Sequence, residues 1–189
     1  MAHIRITSFL GDTAEKLAGT LGEVVDEGAE GIILDVRDNP GGLLSSVVGI
    51  ADLFMDQGGI LYQLDAQNRK TEYKAHPGSL APDIPVVLLA NEFSASGSEV
   101  LSGAIMDHDR ATVIGNTTFG KGSVNNLWPL DDGSAVNFTV ARWFTPNGTL
   151  IEGEGITPDV VVEVAEGETE DIQLDHAIEL LKELIASEA

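Results

Sequence analysis

The chain contains no cysteine. That excludes disulfide frameworks, thiolate metal sites and cysteine nucleophiles, and it leaves the redox compartment open. Long apolar runs are also missing, and none approaches the roughly 18–20 residues of a membrane-spanning helix. The first residues, Met1-Ala2-His3-Ile4-Arg5, pass straight into a strand-like pattern without the apolar stretch of a signal peptide. The expectation is therefore a cytoplasmic protein or a piece of a longer exported one. Positive charge is scarce: 10 Lys and Arg stand against 31 Asp and Glu, for a net charge of −21. Such a field repels phosphate backbones and anionic lipid, which argues against nucleic acid and membrane insertion as partners. Its simplest use is a solvated acidic surface.

What remains is an ordinary globular composition, with 43% apolar and 22% charged residues in 189. That length suits one domain with one substantial core, here taken as residues 1–189. Ile4 to Phe9 reads as a strand, and Asp12-Thr13-Ala14-Glu15 as a capping box. Leu17, Leu21, Val24 and Val25 then recur at helical spacing. Residues 31–36 and 85–90 are short apolar runs of the kind found in strands buried on both faces. A helix with Leu44, Val47, Val48, Ala51 and Leu53–Met55 on its inner face follows the first run. Residues 60–64 and 69–75 alternate as a hairpin or an edge pair, and 112–114 form a short strand. Asp131-Asp132-Gly133 is a hairpin turn before a long return strand, Val160–Val164 is a last strand, and Leu174 to Ile185 is a closing helix. Strands alternating with helices, followed by a hairpin, predict an α/β layered domain.

In such sheets ligands bind beyond the carboxyl ends of the strands. Two turns there are rich in small residues: Asn39-Pro40-Gly41-Gly42, and Phe93 to Glu99. The helix starting near Ser96 points free N–H groups at its own N-terminus, where a developing oxyanion would be stabilised. Ser96-Gly97-Ser98-Glu99 is equally a plain capping box, so the residues alone leave Ser96 open between helix cap and nucleophile. A serine needs a base. None of His3, His76, His108 and His176 has a context that suits that role. Lys121, flanked by Gly120 and Gly122 and remote from any charge run, is either a surface lysine in a loop or a base. A lysine acts as base only when a tight site makes it neutral. The same stretch is not a phosphate loop, because Gly122 stands where Ser or Thr is required.

Residues 33–42, Asn91 to Glu99 and Thr118 to Val124 together resemble the signatures of peptidase family S41, the C-terminal processing (tail-specific) peptidases. Ala141-Arg142-Trp143-Phe144-Thr145-Pro146-Asn147-Gly148, Gly155 to Asp159 and Gln173 to Ala177 are similar as well, in order along the chain. The resemblance implies a ClpP/crotonase-like α/β core with a β-hairpin extension, and a serine endopeptidase with a Ser-Lys dyad. By motif position Ser96 is the nucleophile and Lys121 the base, while the backbone N–H groups of Gly97 and Gly41 form the oxyanion hole. Protein or peptide substrates are implied, with a homodimer as a further option, and no cofactor or metal. Relatives of this kind are typically exported to periplasm, cell envelope or thylakoid lumen.

Two departures stand out. The family usually carries a PDZ domain for which this chain has no room, so the expectation is an isolated protease core. At the position where the family has a Gln that orients the lysine, this chain has Asn125. On an extended strand four residues span about 13 Å, so Asn125 meets Lys121 only if the backbone turns at Gly122. The rival reading is a non-catalytic module that binds hydrophobic ligands or peptides on the same fold. An acyl-CoA enzyme of the crotonase type would share the oxyanion logic without needing a Ser-Lys pair.

Overall fold

A computed structural model describes residues 1–81, 83–165 and 167–188. Its main sheet is wholly parallel, in the order β1 (Ala2–Arg5), β2 (Ile32–Asp35), β5 (Val86–Ala90), β6 (Thr112–Gly115) and β9 (Val160–Val161). A second, antiparallel sheet runs β4 (Lys70–Lys74), β3 (Gly59–Asp65), β8 (Ala135–Phe144) and β7 (Ser123–Pro129). Helices α1 (Thr13–Asp26), α2 (Leu44–Phe54), α3 (Gly97–Asp107) and α4 (Ile172–Glu188) complete the chain.

Period-2 alternation along buried strands sends successive side chains to opposite faces, and the core divides accordingly. Ile32, Leu34 and Leu88 face the α1–α3 side with Leu17, Leu21, Ile50, Phe54 and Leu101. Ile33, Val87, Leu89 and Ile114 face the other side, where Ala177 and Leu181 of α4 cover them. Three layers follow from two short apolar runs. Among the described residues no helix is long and apolar enough to cross a membrane, and no cluster of three or more His, Asp or Glu is placed to hold a metal ion.

Some boundaries differ from the sequence reading. The first strand is Ala2–Arg5, not Ile4 to Phe9, because pairing with Ile32–Asp35 ends there. Beyond it the backbone turns in: Asn39 Nδ2 donates to the Ile6 carbonyl, and Phe9 keeps only an isolated bridge to Gly42. Asp12 forms no capping bond and instead pairs with Lys16 at 2.7 Å. The last strand stops at Val161, and Val25 is exposed while Ile50 is fully buried. In the second sheet β3 pairs with β8 only from Ala141 to Phe144. Residues 135–140 therefore run past it with β7 as their sole partner, a ribbon exposed on both faces. Trp128 lies opposite Val136, and Asn126 opposite Phe138, so one ribbon face is largely apolar and uncovered.

Candidate active site

The carboxyl ends of β2, β5 and β6 open into three loops, which carry Gly41, Ser96 and Lys121 respectively. β5 leads through Asn91–Ala95 to Ser96, half-buried at the N-cap of α3. Ser96 has φ 55° and ψ −110°, a conformation L-residues rarely adopt. The turn that holds it is tightly pinned. Ser94 Oγ donates to the Val36 carbonyl at 2.8 Å, Ala95 N–H donates to the Asn39 carbonyl at 3.0 Å, and Ser98 Oγ donates to the same carbonyl at 2.9 Å. Strain at Ser96 is thus held in place by bonds to the neighbouring β2 turn.

That turn approaches the serine closely. A Cβ on Gly41, where φ is 101°, would sit 2.8 Å from Ser96 Cβ and 2.9 Å from Gly97 N. Only glycine fits there. The Gly41 amide itself donates to Asn39 Oδ1 at 2.9 Å, so the donor assigned to it from sequence is already engaged. Neither the Gly42 nor the Gly97 amide donates a hydrogen bond among the described residues.

Glu99 joins the serine to the lysine loop. It is fully buried at the third position of α3, in a capping box with Ser96. Its Oε2 accepts from the backbone N–H of Ser96 at 2.7 Å and of Lys121 at 2.8 Å. Its Oε1 accepts from Thr118 Oγ1 at 2.7 Å and from Gly120 N–H at 2.6 Å. The backbone nitrogens of the two dyad candidates are therefore bridged by one oxygen atom. Sequence reasoning saw Glu99 only as a cap, and no local pattern signals its bonds to the lysine loop.

The Lys121 side chain is exposed and has no hydrogen bond or ion pair among the described residues. Asn125 does not reach it. It stands exposed in β7 opposite Thr139, whose Oγ1 donates to Asn125 Oδ1 at 2.8 Å. Extended strand keeps Asn125 away from the residues before Gly122, so the orienting contact expected from the sequence is not made. The histidine rings have partners elsewhere: Asp35 for His3, Asp52 for His76, and the carbonyls of Gly59 and Ile172 for His108 and His176. A cavity of about 620 Å³ is at the opposite ends of the parallel strands, lined by Pro85, Thr112 and Asp159, and includes none of these residues.

Residues 1–162 match the sequence model described as Peptidase family S41. A carboxyl-terminal-processing protease of Synechocystis is 40% identical over 163 residues, spanning 86% of this chain and 38% of that protein. The carboxy-terminal processing protease CtpA of Bacillus subtilis is 37% identical over 164 residues, 87% of this chain and 35% of its own length. Among solved structures, a photosystem II D1 C-terminal processing protease superposes with a TM-score of 0.82 at 34% identity, over 92% of this chain and 45% of that one. This chain spans less than half the length of each of these relatives.

Proposed function

Since the chain belongs to peptidase family S41, we propose that it is the catalytic core of a serine endopeptidase that cleaves polypeptides near their C-termini. Its layering is then that of a ClpP/crotonase-like fold, and residues 1–189 act as one peptidase domain. The observation that carries the reading is the shared Glu99 oxygen, which holds the backbones of Ser96 and Lys121 side by side. Ser96 Oγ attacks the scissile carbonyl carbon as neutral Lys121 Nζ takes the hydroxyl proton. The oxyanion collects at the Gly97 amide and at an amide of the Pro40-Gly41-Gly42 turn. Gly42 is favoured over Gly41 for that second donor, because Asn39 already occupies the Gly41 amide. Collapse of the intermediate expels the leaving amine, which receives the proton from Lys121, and leaves an ester on Ser96. Lys121 then deprotonates a water that attacks the ester and releases the new carboxylate. Substrate covering the exposed Lys121 would exclude the water that stabilises an ammonium.

One observation favours the non-catalytic alternative: the Lys121 side chain has no orienting partner among the described residues. The two readings separate in one experiment. A serine-reactive fluorophosphonate should add to Ser96, detected by mass spectrometry, and an unfolded protein substrate should be cleaved. Ser96→Ala and Lys121→Ala should each abolish cleavage while the circular-dichroism spectrum is kept, because the two act as a unit. Cleavage that persists in Lys121→Ala would remove the lysine from the mechanism.

A further inference from the structure

Asp171 and the first turn of α4 lie beyond the residues that match the family model, yet their polar side chains reach both loops of the proposed site. Asp171 takes the Arg37 guanidinium in a two-pronged grip, Nη1 to Oδ1 at 2.6 Å and Nη2 to Oδ2 at 2.9 Å. Arg37 follows β2 and is held from its other side by the fully buried Asp35, through Nε to Oδ1 at 3.0 Å and Nη2 to Oδ2 at 2.8 Å. It stands two residues before Asn39, whose side chain binds the Gly41 amide. Two residues past Asp171, the buried Gln173 donates through Nε2 to Asn116 Oδ1 at 2.5 Å and to the Val162 carbonyl at 2.9 Å. Asn116 roots the loop whose Thr118, Gly120 and Lys121 gather on Glu99.

We propose that Asp171 and Gln173 are positioning residues, and that the start of α4 is a strap fixing the glycine turn and the lysine loop relative to each other. The proposal rests on the Ser96–Lys121 reading for its catalytic consequence, but not for its mechanical one. Two fixed points two residues apart, Asp171 just before α4 and Gln173 in its first turn, set a distance that neither loop sets alone. A misplacement of about 1 Å between reacting groups costs on the order of 10²-fold in rate, so loosening either point lowers turnover.

Asp171→Asn is the mild variant. Asn serves as well as Asp at a helix N-cap, which preserves the bond from Leu174 N–H to the Oδ1 of residue 171, while the charge that grips Arg37 is lost. Gln173→Ala releases the second point. Hydrogen exchange of the whole 189-residue chain should speed up at residues 37–42 in Asp171→Asn and at 115–122 in Gln173→Ala, with the β3–β4 hairpin unchanged. Wild-type exchange in both segments overturns the strap, whether or not Ser96 proves reactive. In a wild type that fluorophosphonate labels at Ser96, Asp171→Asn should slow labelling and kcat roughly 10-fold, with KM little changed. Unaltered labelling and kcat beside faster exchange would make α4 a structural element only and overturn the positioning role. A wild type that is not labelled at Ser96 refutes the dyad instead, and the exchange result still decides the strap.

Discussion

Ser96 sits where a side chain is costly. At φ 55° an L-residue is strained by about 1–3 kcal/mol, whereas glycine occupies positive φ freely. Glycine also loses only a few tenths of a kcal/mol as an N-cap. Ser96→Gly should therefore raise stability by about 1 kcal/mol, a gain of roughly 2–4 °C in Tm at this size, while abolishing cleavage. An unchanged or lower Tm in a calorimetric melt would contradict stored strain at the serine. Ser96 and Lys121 stood out in the sequence as local patterns, a capping box after an apolar run and a glycine-flanked lysine, but the roles proposed for them came from the resemblance to family S41. The second role of Glu99 was not legible. Its three partners on the lysine loop stand 19, 21 and 22 positions away, and no spacing rule announces such contacts. Asn125 shows the converse failure: a sequence position implied a role, but extended backbone aimed the amide at Thr139. Lengthening it by a methylene in Asn125→Gln should change kcat less than about twofold, since residue 125 remains on the strand beside Thr139; a larger gain would mean that the longer amide reaches Lys121.

Helix α3 and the loop after β6 are joined through one carboxylate with four donors on it. An amide in its place offers one acceptor oxygen and presents an NH2 to backbone N–H groups. Leaving a buried donor unsatisfied costs about 1–3 kcal/mol. Glu99→Gln should thus lower Tm by several degrees and kcat by on the order of 10-fold, because the loop that carries Lys121 is released from the helix that carries Ser96. A variant with wild-type Tm and kcat would show that the junction carries no energy. Strands β2 and β5 were readable because an apolar, β-branched run has few other uses. The end of β1 was not, since the chain stays strand-like through Phe9 while its pairing partner ends at Asp35. Exposure of the β7–β8 ribbon was equally hidden: Val136, Phe138 and Val140 alternate in the same way whether or not a neighbour covers them.

At the scale of the whole molecule, Arg37 ties the end of β2 to the start of α4, and that tie is sensitive to acid. Burial alone would raise the Asp35 carboxyl, but the hydrogen bonds and charge of Arg37 outweigh it and hold Asp35 below the usual carboxylate range. Arg37 lowers Asp171 as well, against a smaller effect of burial. Both acids bind protons less readily folded than unfolded, so their stabilisation is full above about pH 4 and is lost as pH falls through the depressed folded values. The share of Asp171 is small, because 46% of its side chain is exposed and solvent screens the pair. Tm should fall as pH drops below about 4, and fall less in Asp171→Asn; comparing the two removes the relief of general repulsion that acid brings to a chain of net charge −21. Equal acid sensitivity would place the effect elsewhere. The ribbon, finally, gives the molecule its own optical gauge. Its two tryptophans are the only ones in the chain, Trp128 with 60% of its surface open and Trp143 with 8%. Water relaxes around an excited open indole and reddens its emission, whereas a buried indole stays blue and beyond the reach of acrylamide. Binding of a peptide or a neighbouring protein across the ribbon should therefore shift emission to the blue and protect it from quenching. Trp128→Phe should abolish that shift and leave a single blue emitter at the ribbon's base.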